Sequence, residues 1–375
     1  MTTSLTGRGR VALGRWIVLL RESELIVLMI VLKNIVAEHV ARSATLWAQR
    51  DSLALEDPPD MEAVRAIDGR LEINLDGLRV ADEAAWESAL ALHAAESGKG
   101  ELFVLAWTAL ELESPDYVAL VVDAGRAAPE GPSGLLGALA WHEARKIAPW
   151  VRDWIDARDP FKRFLGVSAC LEHDVDPKQI LLKRLRDPDR SVRTAGLRLT
   201  AKLHRADLTA EVRDAVADKD ADVRFWAAWT LRELGVGDIG ISELKEVVER
   251  GDRNALLALR AVVKAVPIET VRSWIGTLLR LPQTSPFGVR AAGMLGDRTM
   301  LPWLIEQMAN PPVAVAAGAS FLELFPEARR EEGLFTNDPG AAGAGFNEHF
   351  GDRIARVPIA ENALTWAQRQ GYIKE

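Results

Sequence analysis

The sequence predicts an all-α protein, an α-solenoid of stacked antiparallel helix pairs. Three observations carry that prediction. A turn signature recurs: Asp187-Pro188-Asp189-Arg190-Ser191-Val192-Arg193 returns 31 residues on as Asp218-Lys219-Asp220-Ala221-Asp222-Val223-Arg224. A period of this size marks a stacked array. After each turn the apolar residues fall on one helical stripe. Val223, Trp226, Ala227, Leu231 and Leu234 form one, and Val192, Ala195, Gly196, Leu199 and Leu203 form the other. Steps of three and four residues are the helical period. Finally, no alternating pattern bounded by turns supports a sheet.

Taken in chain order, residues 1–24 read as an N-terminal extension. Residues 25–32 (LIVLMIVL) are apolar but number only eight, whereas a bilayer needs about 20. The apolar stretch after Arg8 and Arg10 is interrupted by Arg15 and followed by Arg21, Glu22 and Glu24, with no small-residue cleavage motif at its end, so neither a signal peptide nor a membrane span is expected. The run 25–32 is expected to be buried, with helix or strand left open. Residues 25–130 are expected to form a helical region capping the array. Helices are predicted at 33–50 and 60–95, divided by Asp57-Pro58-Pro59, and shorter ones within 101–145. Gly131-Pro132-Ser133-Gly134 reads as a turn.

Residues 131–326 are expected to hold the repeats. First helices are predicted at 180–186, 211–217, 242–249, 269–280 and 302–308. An earlier copy of the turn is placed at Asp159-Pro160 and a later echo at Val289-Arg290, with a degenerate unit near Gly251-Asp252. The Asp ahead of each second helix can accept hydrogen bonds from unpaired first-turn N–H groups. Gly235 suits a helix stop. Residues 327–357, with Gly340, Gly343, Gly345 and Gly351, read as a flexible surface loop. Residues 358–375 hold the last helix, near 360–370.

The Asp…Val-Arg pattern with six residues from Asp to Arg, in helix pairs of about 30 residues, resembles HEAT repeats. The resemblance spans roughly 130–325. It implies that the Asp sits in the turn between paired helices and that the Arg builds a hydrogen-bonded ladder between neighbouring units. Asp187 with Arg193 and Asp218 with Arg224 carry the full pattern. Asp159 meets Leu165, and Arg290 has Thr284 six residues back, so the pattern departs there. A narrower likeness joins Ile35-Val36-Ala37-Glu38-His39, Leu46-Trp47, Arg50-Asp51 and the stretch from Arg70-Leu71-Glu72 to Leu75-Asp76-Gly77-Leu78-Arg79-Val80. These resemble a family of uncharacterised bacterial HEAT-repeat proteins, often encoded near type VI secretion effector genes. Pro358 followed by Ala363-Leu364-Thr365-Trp366 is similar to that family's closing helix. No catalytic residue is assigned in the family. Leu71, Leu75 and Leu78 also fit one apolar helix face, with Gly77 as a packing point.

Chemistry-bearing motifs are scarce. Cys170 is the only cysteine, so no disulfide framework or cysteine-rich zinc site is expected. Its neighbours Glu172, His173 and Asp174 point in different directions on a helix, and it reads as an ordinary helix residue. His142-Glu143 and Glu172-His173-Asp174 do not make a metal pattern. Their histidines read as surface or capping residues. The glycines of the 340s fit no phosphate-binding motif. No cofactor and no metal are expected.

The net charge of −8 and pI near 5.5 argue against a general nucleic-acid binder. Within the repeats, residues 152–205 hold 13 Lys/Arg against 8 Asp/Glu, and residues 206–250 hold 6 against 11. On the helix after Asp220, Phe225, Trp229 and Arg232 lie opposite the Val223/Leu231/Leu234 stripe, and Arg198 corresponds to Trp229 one repeat earlier. Second helices of a solenoid line its concave face. Arg198, Phe225, Trp229 and Arg232 are therefore the candidate protein-binding patch. The expected function is a non-catalytic scaffold or adaptor that binds another protein in the cytoplasm, without nucleic acid or membrane. The alternatives are a HEAT-like DNA glycosylase using the basic segment, Trp226/Trp229 and Asp220/Asp222, and an immunity-like protein that binds a toxin.

Overall fold

A computed structural model describes residues 22–353 and 355–374. Within them lie twenty α-helices and one pair of two-residue strands. The chain divides into two compact units. The first comprises residues up to Leu55 plus Asp60–Ile147, and the second Glu56–Pro59 plus Ala148 onward. The division at Ile147, rather than at 130, follows from helix packing that the turn at Gly131 does not interrupt.

In the first unit lie α1 (Glu22–Ala54), α2 (Met61–Ala81), α3 (Glu83–Ala95), α4 (Lys99–Glu111), α5 (Pro115–Ala127) and α6 (Ser133–Trp141). Residues 25–32 are thus helical; Leu32 is 52% exposed, and the burial expected for 25–31 lies outside the described residues. Helix α4 is the centre, contacted by α1, α3, α5 and α6, and every residue from Leu102 to Leu110 is buried. Close approach makes this possible. A Cβ added at Gly100 or Gly134 would fall on the Ala44 or Lys99 carbonyl, and one at Gly137 inside the Trp47 ring system. Trp47 stacks on Phe103 with centroids 4.9 Å apart. Leu71, Leu75 and Leu78 are buried on one face of α2, and Gly77 packs against the His39 ring, as expected.

The second unit begins within α7 (Ala144–Trp154). It continues with α8 (Pro160–Glu172), α9 (Gln179–Leu185), α10 (Arg190–Lys202), α11 (Thr209–Ala215), α12 (Ala221–Glu233), α13 (Gly237–Arg250), α14 (Ala255–Ala265), α15 (Ile268–Leu278), α16 (Ser285–Met294), α17 (Leu301–Met308) and α18 (Pro311–Leu324). Helices α8, α10, α12, α14, α16 and α18 pack each on the next, and α9, α11, α13, α15 and α17 pair with them from the other layer. This consecutive pairing is the α-solenoid arrangement. Core side chains run through it as overlapping clusters, from Ile155–Leu231 through Phe225–Ala291 to Val289–Ala367.

Residues 327–357 are not the flexible loop expected. Phe335–Thr336 pairs antiparallel with Val357–Pro358, and Phe346 and Phe350 of α19 (Phe346–Phe350) are buried against Ala314 and Val357. Their irregular spacing hides this packing from a periodicity argument. Helix α20 (Ala360–Arg369) closes the described chain, with Trp366 buried edge-on against Phe321, 5.2 Å between centroids. Among the described residues no helix is long and apolar enough to cross a membrane.

Candidate functional site: a groove between repeats

The turns fix the geometry. Asp189 caps α10 by accepting hydrogen bonds from the Ser191 and Val192 N–H groups, and Asp220 caps α12 in the same way from Asp222 and Val223. Asp159 caps α8 by accepting from the Phe161 N–H. Asp159 therefore corresponds to the cap Asp189 and not to the turn residue Asp187. The earlier register was two residues out, and the ladder arginine of that repeat is Arg163.

Arg163 donates to both Asp187 carboxylate oxygens at 2.8 Å and to the Ala157 and Arg158 carbonyls. Arg193 repeats the pattern. It donates to the Asp187 and Pro188 carbonyls and holds Asp218, with Nε 3.0 Å from Oδ2. Each arginine thus ties its own turn to the aspartate of the next. Arg224 donates to the Asp218 and Lys219 carbonyls but reaches only Glu243, at 3.9 Å, where a further aspartate would stand. Burial alone would raise the Asp187 carboxyl. Hydrogen bonds from Arg163 and the Asp189 N–H, with the charges of Arg163 and Arg184, hold it below the usual carboxylate range.

Further along the same helices, Leu171, Arg198, Ala201, Lys202, His204, Trp226, Trp229 and Glu233 line a groove of about 260 Å³. Trp226 and Trp229 are half-buried, with centroids 5.7 Å apart and planes at 59°. The Arg198 guanidinium lies over Trp226 at 4.8 Å, and that of Arg232 over Trp229 at 5.7 Å. Arg232 is paired with Glu233.

Three of the four expected patch residues, Arg198, Trp229 and Arg232, therefore come together. Phe225 does not. It is 1% exposed and belongs to the core under α13 and α14. Its place is taken by Trp226, a residue of the apolar stripe that packs against the core with one part of its ring and borders the groove with the rest. In a stacked array the next helix pair covers a second side of each helix, so facing away from the first stripe does not mean facing water.

A second charged cluster lies outside the Asp187–Arg224 pattern. Arg290, 2% exposed, holds Asp57 with Nε 2.6 Å from Oδ2, and its Nη2 lies 2.6 Å from Glu323. Arg260 pairs with the same two carboxylates. Burial would raise both acids, but hydrogen bonds and charge from the two arginines hold them low. Arg260 and Arg290 each stand six residues after the cap position of α14 and α16, a register that the shortened echo at Val289-Arg290 signalled only in part. The Asp57-Pro58-Pro59 segment, expected to be a plain divider, supplies an acid to this cluster.

The remaining chemistry-bearing residues lie apart from the groove. Burial pushes the Cys170 thiol up to about 11, with a smaller contribution from Asp176. His142 and His173 both sit at helix C-cap positions, but His142 is buried rather than at the surface. Among the described residues no three His, Cys, Asp or Glu side chains converge as a metal site requires.

The layers, the capped turns and the arginine ladder define a helical-repeat protein. The family model described as HEAT repeats matches residues 179–280, so the helix pairs of that span are similar to HEAT repeats. No curated protein matches the chain.

Proposed function

We propose that the protein is a non-catalytic scaffold or adaptor that binds another protein through the groove at Arg198, Trp226, Trp229 and Arg232. The observation that carries this reading is the pair of half-buried tryptophans, each with an arginine over its ring, on the surface of a repeat layer. Trp and Arg are the residues most enriched among interface anchors. A stacked array offers such a surface without a catalytic constellation. The bacterial setting, the cytoplasm and a type VI effector partner, including an immunity-like role against a toxin, rest on the resemblance at 35–80 and 358–366 and on the single cysteine.

The DNA-glycosylase alternative is disfavoured by specific contacts. Asp220 is engaged as a helix cap and with Arg190, and Asp222 with Arg253 and Asn254. Neither acid stands ready for chemistry at the groove, and the 206–250 segment carries net negative charge. Trp229→Ala combined with Arg198→Glu is expected to abolish capture of the native partner in a pull-down, with circular dichroism and melting nearly unchanged. Undiminished capture by this variant rejects the groove.

A further inference from the structure

We infer that the groove between α10 and α12 receives an acidic segment of its partner. A carboxylate lies against Arg198, and an apolar side chain enters the notch between Trp226 and Trp229. The inference rests on the reading of this groove as the protein-binding site. Arg198 sets it apart. The neighbouring arginines 163, 184, 193, 205 and 232 are all committed to carboxylates of the chain. Arg198 keeps exposed surface, yet surrounding protein crowds its guanidinium and lowers its pKa from the ordinary arginine value, opposed by the field of Glu172, and it makes no hydrogen bond or ion pair to a described residue. Its contact is the Trp226 ring.

The guanidinium rests over the Trp226 ring, 4.8 Å from its centroid, and its N–H groups have no acceptor among the described residues. That fork matches a carboxylate bidentately. The lysine and the glutamate that line the groove are both paired. Glu233 is taken by Arg232, and Lys202 pairs with Asp174 at 3.2 Å on the open surface. The unmatched charge is therefore the cation of Arg198, and its complement is an anion. Beside it, Leu171, Ala201 and the two indoles supply an apolar floor. Aromatic notches of this kind suit an extended, proline-containing chain. A nucleic-acid strand fits worse, because the following segment, 206–250, holds 11 acidic residues against 6 basic ones and would repel its phosphates.

The test uses the full chain and a fluorescently labelled Ac-(Glu-Pro)4-NH2 peptide, read by anisotropy at low salt. Unlabelled (Gln-Pro)4, (Lys-Pro)4 and oligo-dT serve as competitors. The Glu peptide is expected to bind, to weaken as salt rises, and to resist all three competitors. Arg198→Gln is expected to weaken it by at least about tenfold, the loss of a charged hydrogen-bonded pair. Arg198→Lys is expected to restore part of the affinity, and Trp226→Ala to weaken binding without loss of helicity. Absence of binding, equal competition by the Gln or Lys peptide, displacement by oligo-dT, or an Arg198→Gln variant that binds normally overturns the inference. If native-partner capture still depends on Trp229 while Arg198→Gln captures normally, the acidic partner falls and the groove stands. If the Trp229→Ala/Arg198→Glu variant also captures normally, both fall.

Discussion

The first unit and the repeat segment from α8 to α12 are both helical, yet different forces place their helices. In the first, α4 is buried on all sides from Leu102 to Leu110, and glycines at 100, 134 and 137 let neighbouring backbones and rings approach closely. Position comes from shape. In the repeats each helix buries its stripes and keeps a polar edge. The turns between them are locked by Arg163–Asp187 and Arg193–Asp218. Position there comes from a directional charge ladder. Shape-fitted packing tolerates no added volume, whereas a ladder tolerates surface change but depends on the ionisation of its acids.

Four experiments break or sharpen this contrast. The largest effect is expected where charge is most buried. Arg290→Ala leaves Asp57 and Glu323 with only Arg260, and should cost about 3 kcal/mol, the lower end for breaking a buried pair. Thermal melting measures it; a loss below about 1 kcal/mol would make the cluster an ordinary surface pair. Next, Gly137→Ala should destabilise the first unit by about 1–3 kcal/mol through overpacking against Trp47. The same change at the exposed, open position Gly276 should be neutral or slightly stabilising by its helix propensity. Equal effects at the two sites would remove the shape argument.

Third comes pH. Burial drives His142 down to about 4, against hydrogen bonding to the Trp107 carbonyl and the field of Glu111. The unfolded chain binds that proton from about pH 6.5, so the first unit should lose stability as pH falls from 6.5 to 4. His142→Phe should flatten this limb. Asp187 is depressed in the folded state. Its contribution is therefore present above the usual carboxylate range and is lost as pH falls through it. Hydrogen exchange at acidic pH should open the first unit before the ladder, and the reverse order contradicts the assignment. The smallest effect is expected at a single rung: Arg193→Lys keeps the charge but loses the fork to Asp218 and the two carbonyls. A cost of about 1 kcal/mol in denaturant melts is expected.

Much of the repeat segment could be read from residues alone. An aspartate cap, an apolar stripe in steps of three and four, and an arginine after each turn are local signals repeated at a fixed period. The two-residue misplacement of Asp159 shows the limit. Asp-Pro looks the same whether its aspartate caps a helix or accepts a ladder bond, and only Arg163 in contact with Asp187 distinguishes them. Phe225 and Trp226 mark the same limit in the groove. Adjacent on one helix, they differ in which neighbouring helix pair covers them.

Local sequence alone determined that the repeat segment is helical, with aspartate-capped turns at Asp189 and Asp220 and one apolar stripe on each following helix, because those properties depend on residues within one or two turns. Tertiary structure decided that α4 is engulfed, that residues 327–357 pack onto α18, that Asp57 reaches Arg290, and that Trp226 rather than Phe225 borders the groove. Each of these depends on contacts between residues far apart in the chain, whose geometry no local period encodes.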